Sequence, residues 1–365
     1  MKSVKVEEKV TSYTFYYKFL PRVLEKLRDM RDGEDFVLDF SETKIVDAMA
    51  VPLLLNTARW IIGTKEVIPQ IYIPNLKEKN RLKEYLEQVG FFNVCDFYEY
   101  FEVNTERISA TRDSINLATY VFTENAKDDS QEERERIEKA VFNKLKSDSY
   151  SQFWKYWSEY DTSRDPNHPA NGVEWVTRSI CANTGIHTNK NAILTLQRNK
   201  ELQRVCISIA DCGKGLYEKL KEKGERGKFK PILYPFNEFK MLSGEKADLH
   251  AIIEALAYRY EENIYGLYQV LMKNIELGRR EEKKNKEEGD KEKKNGWIMR
   301  IHTNRMRVVL TENICKGKNL DSTDSKKEFV HKLLMLAQNE YVAKKTPNYP
   351  GVHIEIEIPY NEEKM

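Results

Sequence analysis

An apolar, β-rich run that ends in an acid and two alternate glycines, Val205-Cys206-Ile207-Ser208-Ile209-Ala210-Asp211-Cys212-Gly213-Lys214-Gly215-Leu216, constrains this chain more than any other stretch. The strand closes at Asp211. The glycines after it let the backbone turn sharply and let a flat ligand approach with no Cβ in the way. An acid at a strand end can accept hydrogen bonds from an exocyclic amine and from a ring N–H. Alone, Asp-x-Gly-x-Gly is a common strand-to-loop turn, so the flanking sequence decides what it means.

Upstream stands Ser179-Ile180-Cys181-Ala182-Asn183-Thr184-Gly185-Ile186-His187. In a helix beginning near Gly172, Ser179, Asn183 and His187 fall four apart on one face. The carbonyl oxygen of a neutral amide can ligate Mg²⁺, which commonly arrives with substrate phosphates. Two strands are expected next, Ala192 to Gln197 and Arg204 to Ala210, joined by a hairpin turn at Asn199-Lys200-Glu201. Downstream, Gly266 in Tyr265-Gly266-Leu267-Tyr268 opens a helix, a position suited to facing phosphate. Strands at Trp297–Thr303 and Arg305–Thr311 follow, then the alternating strand Gly351 to Pro359.

That order, over about Asp113 to Tyr360, resembles the GHKL ATPase family, which includes the ATP-binding domains of histidine kinases, DNA gyrase B, Hsp90 and MutL. The resemblance implies an α/β sandwich, a mixed sheet with helices on one face, that binds ATP with Mg²⁺. It implies a Mg²⁺-binding role for Asn183, adenine contact by Asp211, Gly213 and Gly215, and phosphate contact by Gly266; His187 reads either as a satisfied helix-end histidine or as a phosphate contact. The segment from about 217 to 262 becomes a mobile lid. Its lysines, from Lys214 onward, are read as solvated, with one in reach of a γ-phosphate as the alternative. Two departures stand out. Hydrolysing relatives carry Glu four residues before the helix Asn, where this chain has Ser179, and a Ser hydroxyl is not a competent base unaided. The second glycine motif holds one glycine only. ATP binding is therefore expected ahead of hydrolysis, and the catalytic residue is left unassigned.

The N-terminal third alternates strand and helix. Asp35 to Ser41 reads as a buried strand with an acidic end. Val46-Asp47-Ala48-Met49-Ala50-Val51 leads into an apolar helix. Glu66 to Pro74 offers a strand, and Asn75 to Leu86 an amphipathic helix with Asn75 as N-cap. Over about Val10 to Phe97 this is similar to a STAS domain, the fold of anti-sigma factor antagonists and sulfate transporter tails. Signalling members place a phosphorylated Ser or Thr after the helix-start Asp. Here Ala48 stands there, which leaves a docking or scaffold role.

These readings divide the chain into a STAS-like α/β domain (1–105), a helical connector (106–165) and a GHKL-type ATP-binding domain (166–365). In the connector, Arg112–Thr123 and Gln131–Lys146 read as helices, and the aromatic run Tyr150 to Tyr160 as packing, with base stacking as the alternative. The mixed-sign segment at about 279–296 reads as a solvated helix extension or loop. A net charge of +2 argues against a dominant nucleic-acid footprint. No run reaches membrane-spanning length and no signal-peptide core opens the chain, so a cytoplasmic protein without membrane contact is expected. The five cysteines show no C-x-x-C pair and read as buried free thiols, with Cys212 in the turn as the one open to alkylation. The functional expectation is an ATP-binding regulatory switch whose lid controls a protein partner or a homodimer. The alternatives are a slow ATPase or protein kinase of the same fold, and a nucleotide-free scaffold.

Overall fold

The computed structural model describes residues 1–103, 117–122, 130–146, 169–187, 192–199, 202–258, 266–287, 296–317, 320 and 325–359. The chain is mixed α/β, with a four-stranded parallel sheet, a five-stranded antiparallel sheet and a two-stranded parallel pair among the described residues. In the N-terminal part β1 (Lys2–Lys5), β3 (Phe36–Asp39), β5 (Gln70–Tyr72) and β6 (Glu102–Val103) form a parallel sheet in that order. A short parallel pair, β2 (Lys9–Val10) and β4 (Ile45–Val46), lies beside it.

Helices fill the crossovers. A helical stretch from Ser12 passes through a π-helical Phe15–Phe19 into α1 (Leu20–Arg28), which buries Leu20, Val23 and Leu27 at helical spacing. Asp47 accepts from the N–H of Met49 and starts a 3₁₀ turn that runs into α2 (Val51–Lys65). Every residue of α2 from Val51 to Ala58 is buried. A helix apolar all round needs cover all round, and α2 has it: its own sheet lies on one side and β8 and β9 of the second sheet on the other. Next come α3 (Asn80–Gln88) and α4 (Phe91–Tyr98). Asn75 does not cap this helix. A 3₁₀ turn at Lys77–Lys79 begins it instead, and the Asn75 side chain accepts from Lys83 at 3.3 Å.

The second sheet is antiparallel, in the order β10 (Ile298–Thr311), β11 (Ala343–Pro359), β9 (Arg204–Asp211), β8 (Ala192–Asn199), β7 (Leu117–Phe122). Leu117–Phe122 is thus an edge strand and not part of a helix over Arg112–Thr123. Thr119, Tyr120, Val121 and Phe122 suit a pleated surface, and pairing with β8 settles the choice; Thr119 and Thr195 bring their hydroxyls to 3.1 Å. Trp297–Thr303 and Arg305–Thr311 are one strand, bent at Asn304 (φ 47°), where the register with β11 shifts. The β8–β9 hairpin is tied by the Asn199 side chain, which accepts from the N–H of Leu202 at 3.0 Å.

One face of this sheet carries α5 (Gln131–Lys146), α6 (Pro169–His187), α9 (Gly244–Ala257) and α10 (Leu267–Glu287) in a continuous apolar core with Leu194, Ile207, Ile209 and Ile356. Shorter helices α7 (Gly215–Glu225) and α8 (Phe236–Phe239) join α9 in a small cluster of Tyr217, Phe229 and Phe239. Near the end α11 (Glu312–Gly317) and α12 (Lys326–Ala337) flank the strands. The other face of the sheet is covered by the N-terminal part, whose core continues into Val121, Ile193, Ala210 and Tyr349. All eight residues of β9 are buried, because both faces of that central strand are covered. The aromatic run 150–160 and the tail of the charged segment, 288–295, lie outside the described residues; α10 extends to Glu287.

Candidate functional site

Asp211 is the last residue of β9, opposite Ala192. It shares a side with Val205, Ile207 and Ile209, the helix-bearing face, whereas Ser208 and Ala210 point to the N-terminal part. The carboxylate is 2% exposed. Its Oδ1 accepts from the N–H of Gly213 at 2.6 Å, and the backbone amide of Val352 on β11 lies near enough to favour the ionised form. Burial pushes its pKa up to about 6, against the pull of those two amides and of Arg59 and Lys219. A buried carboxylate at a strand end whose pKa is raised toward neutral pH is a candidate functional group.

The glycines of the turn divide their work. Gly215 has φ +82°, and a Cβ there would sit 2.5 Å from the Asn304 amide nitrogen and 2.7 Å from the Thr303 hydroxyl. It makes a left-handed turn packed on the β10 bend, which by itself calls for glycine. Thr303 accepts from the N–H of Leu216 at 3.0 Å. Buried Asp248 of α9 accepts from the Asn304 side chain (3.1 Å) and the N–H of Arg305 (3.2 Å), tying the helical segment to the same bend. Gly351 (φ +93°) lies on Asp211 itself; a Cβ there would be 2.0 Å from the Asp211 carbonyl oxygen.

Asn183 and Ser179 lie one turn apart on α6, which packs on β8 and β9. The Asn183 amide nitrogen and the Ser179 hydroxyl are buried and have no hydrogen-bond partner among the described residues. Orphaned buried polar atoms cost stability, and both of these are closed off from solvent in the structure. His187 is the final residue of α6, and its side chain lies outside the described residues. Gly266 immediately precedes α10 and its carbonyl accepts from the N–H of Val270 (3.0 Å). Its φ is not positive, and a Cβ would meet only the Tyr258 carbonyl at 3.7 Å, so neither backbone nor packing among the described residues demands glycine there. The stretch read as a lid is helical from Gly215 to Ala257 apart from its links, and 259–265 lie outside the described residues. Lys214 pairs with Glu222 at the surface (2.7 Å).

The sequence reading missed Val352, Gly351, Thr303, Asn304 and Asp248, the second ring around the turn. Pro350-Gly351 was the available signal, a turn dipeptide inside a strand pattern. A separate cleft of about 650 Å³, lined by Glu8, Ser41, Thr43, Lys44, Lys79 and Arg81, opens on the N-terminal part and contains none of the residues singled out from sequence. Among the described residues no group of three or more His, Cys, Asp or Glu is placed to hold a metal ion, and no helix is long and apolar enough to cross a membrane. No protein-family model matches the chain, and neither a curated protein nor a solved structure does.

Proposed function

We propose that this protein is an ATP-binding regulator built from a STAS-like unit and a GHKL-type unit, in which nucleotide at the Asp211 turn governs the segment leading to Gly266 and so controls contact with a protein partner or a second copy. The observation that carries the reading is Asp211: a buried carboxylate at the end of the central strand, on the helix-bearing side, with the orphaned polar atoms of Asn183 and Ser179 on a helix covering that side. The order of elements supports it: helix α6, hairpin β8–β9, the Asp-x-Gly-x-Gly turn, a helical segment, a helix led by Gly266, then β10 and β11.

In this reading Asp211 accepts from the exocyclic amine of adenine. The amides at the start of α10 face phosphate. Asn183 is the residue that would hold Mg²⁺, which when bound would offset the charge of the phosphates. Ser179 is fully buried and offers no base, so nucleotide is held and not hydrolysed. The helix start that carries the phosphoacceptor in signalling STAS domains is buried here: Met49 accepts from Ser208 at 2.8 Å. That supports a scaffold role within the chain.

The test is calorimetric titration with Mg²⁺ and a non-hydrolysable ATP analogue, beside Asp211→Asn. Binding by the wild type that the substitution abolishes is the expected result. No heat at high micromolar wild-type protein would sink the proposal and leave the scaffold. Turnover with ATP would instead favour the ATPase or kinase reading.

A further inference from the structure

The segment that touches Asp211 is fastened at both ends to the N-terminal part. At one end the Tyr349 hydroxyl donates to the carbonyl of Leu53 on α2 (2.9 Å). At the other, His353 lies between Tyr16 and Ser208: Nδ1 is 2.9 Å from the Tyr16 hydroxyl and Nε2 is 3.0 Å from Ser208 Oγ. Ser208 spends its proton on the Met49 carbonyl (2.8 Å) and must therefore accept from His353 Nε2–H. Nδ1 is then the acceptor for Tyr16. The ring is neutral, because burial holds its pKa well below the usual range. Between these two anchors stand Pro350, Gly351 and Val352. Gly351 lies against Asp211, so close that a Cβ on it would fall 2.8 Å from Asp211 Oδ1, and the adjacent Val352 amide favours the ionised carboxylate.

We propose that Tyr349 and His353 are positioning residues for Asp211: by pinning the Pro350–Val352 bulge of β11 to Leu53 and Tyr16, they make the N-terminal part set the position of the acid at the nucleotide turn. The consequence for nucleotide rests on the function proposed above; the positioning itself does not. The charged groups facing Asp211 come from both sides, Arg59 on α2 and Lys219 on α7, with Tyr349 and Cys212 as titratable neighbours. The cations stay in place when a hydroxyl is removed from Tyr16 or Tyr349, so a change in Asp211 isolates the amide of Val352.

The experiment is a pH titration of the Asp211 carboxyl carbon by NMR, on ¹³C-Asp-labelled full-length protein without nucleotide, with the resonance assigned by Asp211→Asn. Tyr349→Phe keeps the ring against Phe15 and Trp60 and removes the anchor together with the hydroxyl's 3.4 Å contact to Thr57. Tyr16→Phe removes the anchor at the other end. Tyr341→Phe, at an 80% exposed position, is the control. A looser Val352 amide stabilises the carboxylate less, so the midpoint should rise by about half a unit or more in either anchor variant and stay put in the control. A midpoint unmoved in both folded anchor variants overturns the proposal, and if one variant fails to fold the other decides. A raised midpoint in a protein that binds no ATP analogue would retire the nucleotide function and leave the positioning intact.

Discussion

Asp211→Asn should stabilise the ligand-free protein while abolishing its proposed function. The wild-type carboxylate titrates at about 6 in the fold, against 3.8 for the ordinary side chain. At about 1.4 kcal/mol per unit, holding it ionised at neutral pH costs about 3 kcal/mol relative to the unfolded chain. Asparagine carries no charge to desolvate, but its neutral amide oxygen holds the Gly213 and Val352 amides less strongly than a carboxylate does. That loss offsets about 1–2 kcal/mol. The variant should come out about 1–2 kcal/mol more stable at pH 7.5. The pH dependence is the sharper signature. Because the folded pKa is raised, the stability contributed by this group is fully present below pH 3.8 and is lost as pH rises through about 6. The variant's advantage should therefore shrink between pH 7.5 and pH 4.5. Urea midpoints of the two proteins at matched pH measure this, and other titrating groups cancel in the difference. A variant less stable than wild type at pH 7.5, or a gap that does not change with pH, would refute the reasoning. Acids that cost stability where they stand are a mark of sites kept for binding.

Gly351→Ala should cost about 2–5 kcal/mol by denaturation, from a left-handed backbone and a Cβ driven onto the Asp211 carbonyl; a loss under about 1 kcal/mol would show that the turn yields easily. Gly266→Ala should change stability by less than about 1 kcal/mol, since φ and space both admit a Cβ, yet weaken binding of the ATP analogue; unchanged affinity would remove phosphate from that helix start. With a thiol reagent under native conditions, Cys212 should react ahead of the other four, which are buried. Burial raises the thiols of Cys181 and Cys206 and pushes Cys315 up to about 12. Equal labelling of all five would contradict the packing.

The strand ending at Asp211 and the helix carrying Asn183 were legible because local chemistry decides them: an apolar run, an acid, two glycines, and a helix expected near Gly172 that begins at Pro169. Leu117–Phe122 was not, because a short apolar run fits helix or strand until a partner is known, and its partner lies some seventy residues on, as the Thr119–Thr195 pair shows. The packing of Gly215 on Thr303 and Asn304 was not legible either, because it depends on a β10 bend remote in sequence. The alternating strand His353-Ile354-Glu355-Ile356-Glu357 is the instructive case. Its pattern predicts one apolar face and one wet face. In the fold His353 and Glu355 are as buried as Ile354 and Ile356, since the N-terminal part covers the polar side. No local pattern announces that cover.

That polar face explains how the two sheets find one docking position. Glu355 faces Arg300 at 3.5 Å and Arg307 at 3.6 Å, and Ser12 of the N-terminal part donates to it at 3.0 Å while accepting from Arg307 at 3.1 Å. His353, being neutral, adds a hydrogen-bond relay and not an ion pair to the cluster, although it stands 3.5 Å from Glu355. Apolar contacts through Ile193, Ala210 and Tyr349 supply area that tolerates sliding. The relay from Tyr16 to Met49 and the Ser12 bridge do not, because a shift of one residue would leave buried donors and charges without partners. Docking is thereby held in one register. The same strand, β9, presents Ser208 and Ala210 to that interface and Asp211 to the other face. Cys212, one residue on, reaches the Asn56 carbonyl of α2 at 3.3 Å. A ligand that moved Asp211 would therefore have to move a residue already fixed to the N-terminal part, and its influence there is limited to the difference in its affinity for the two positions.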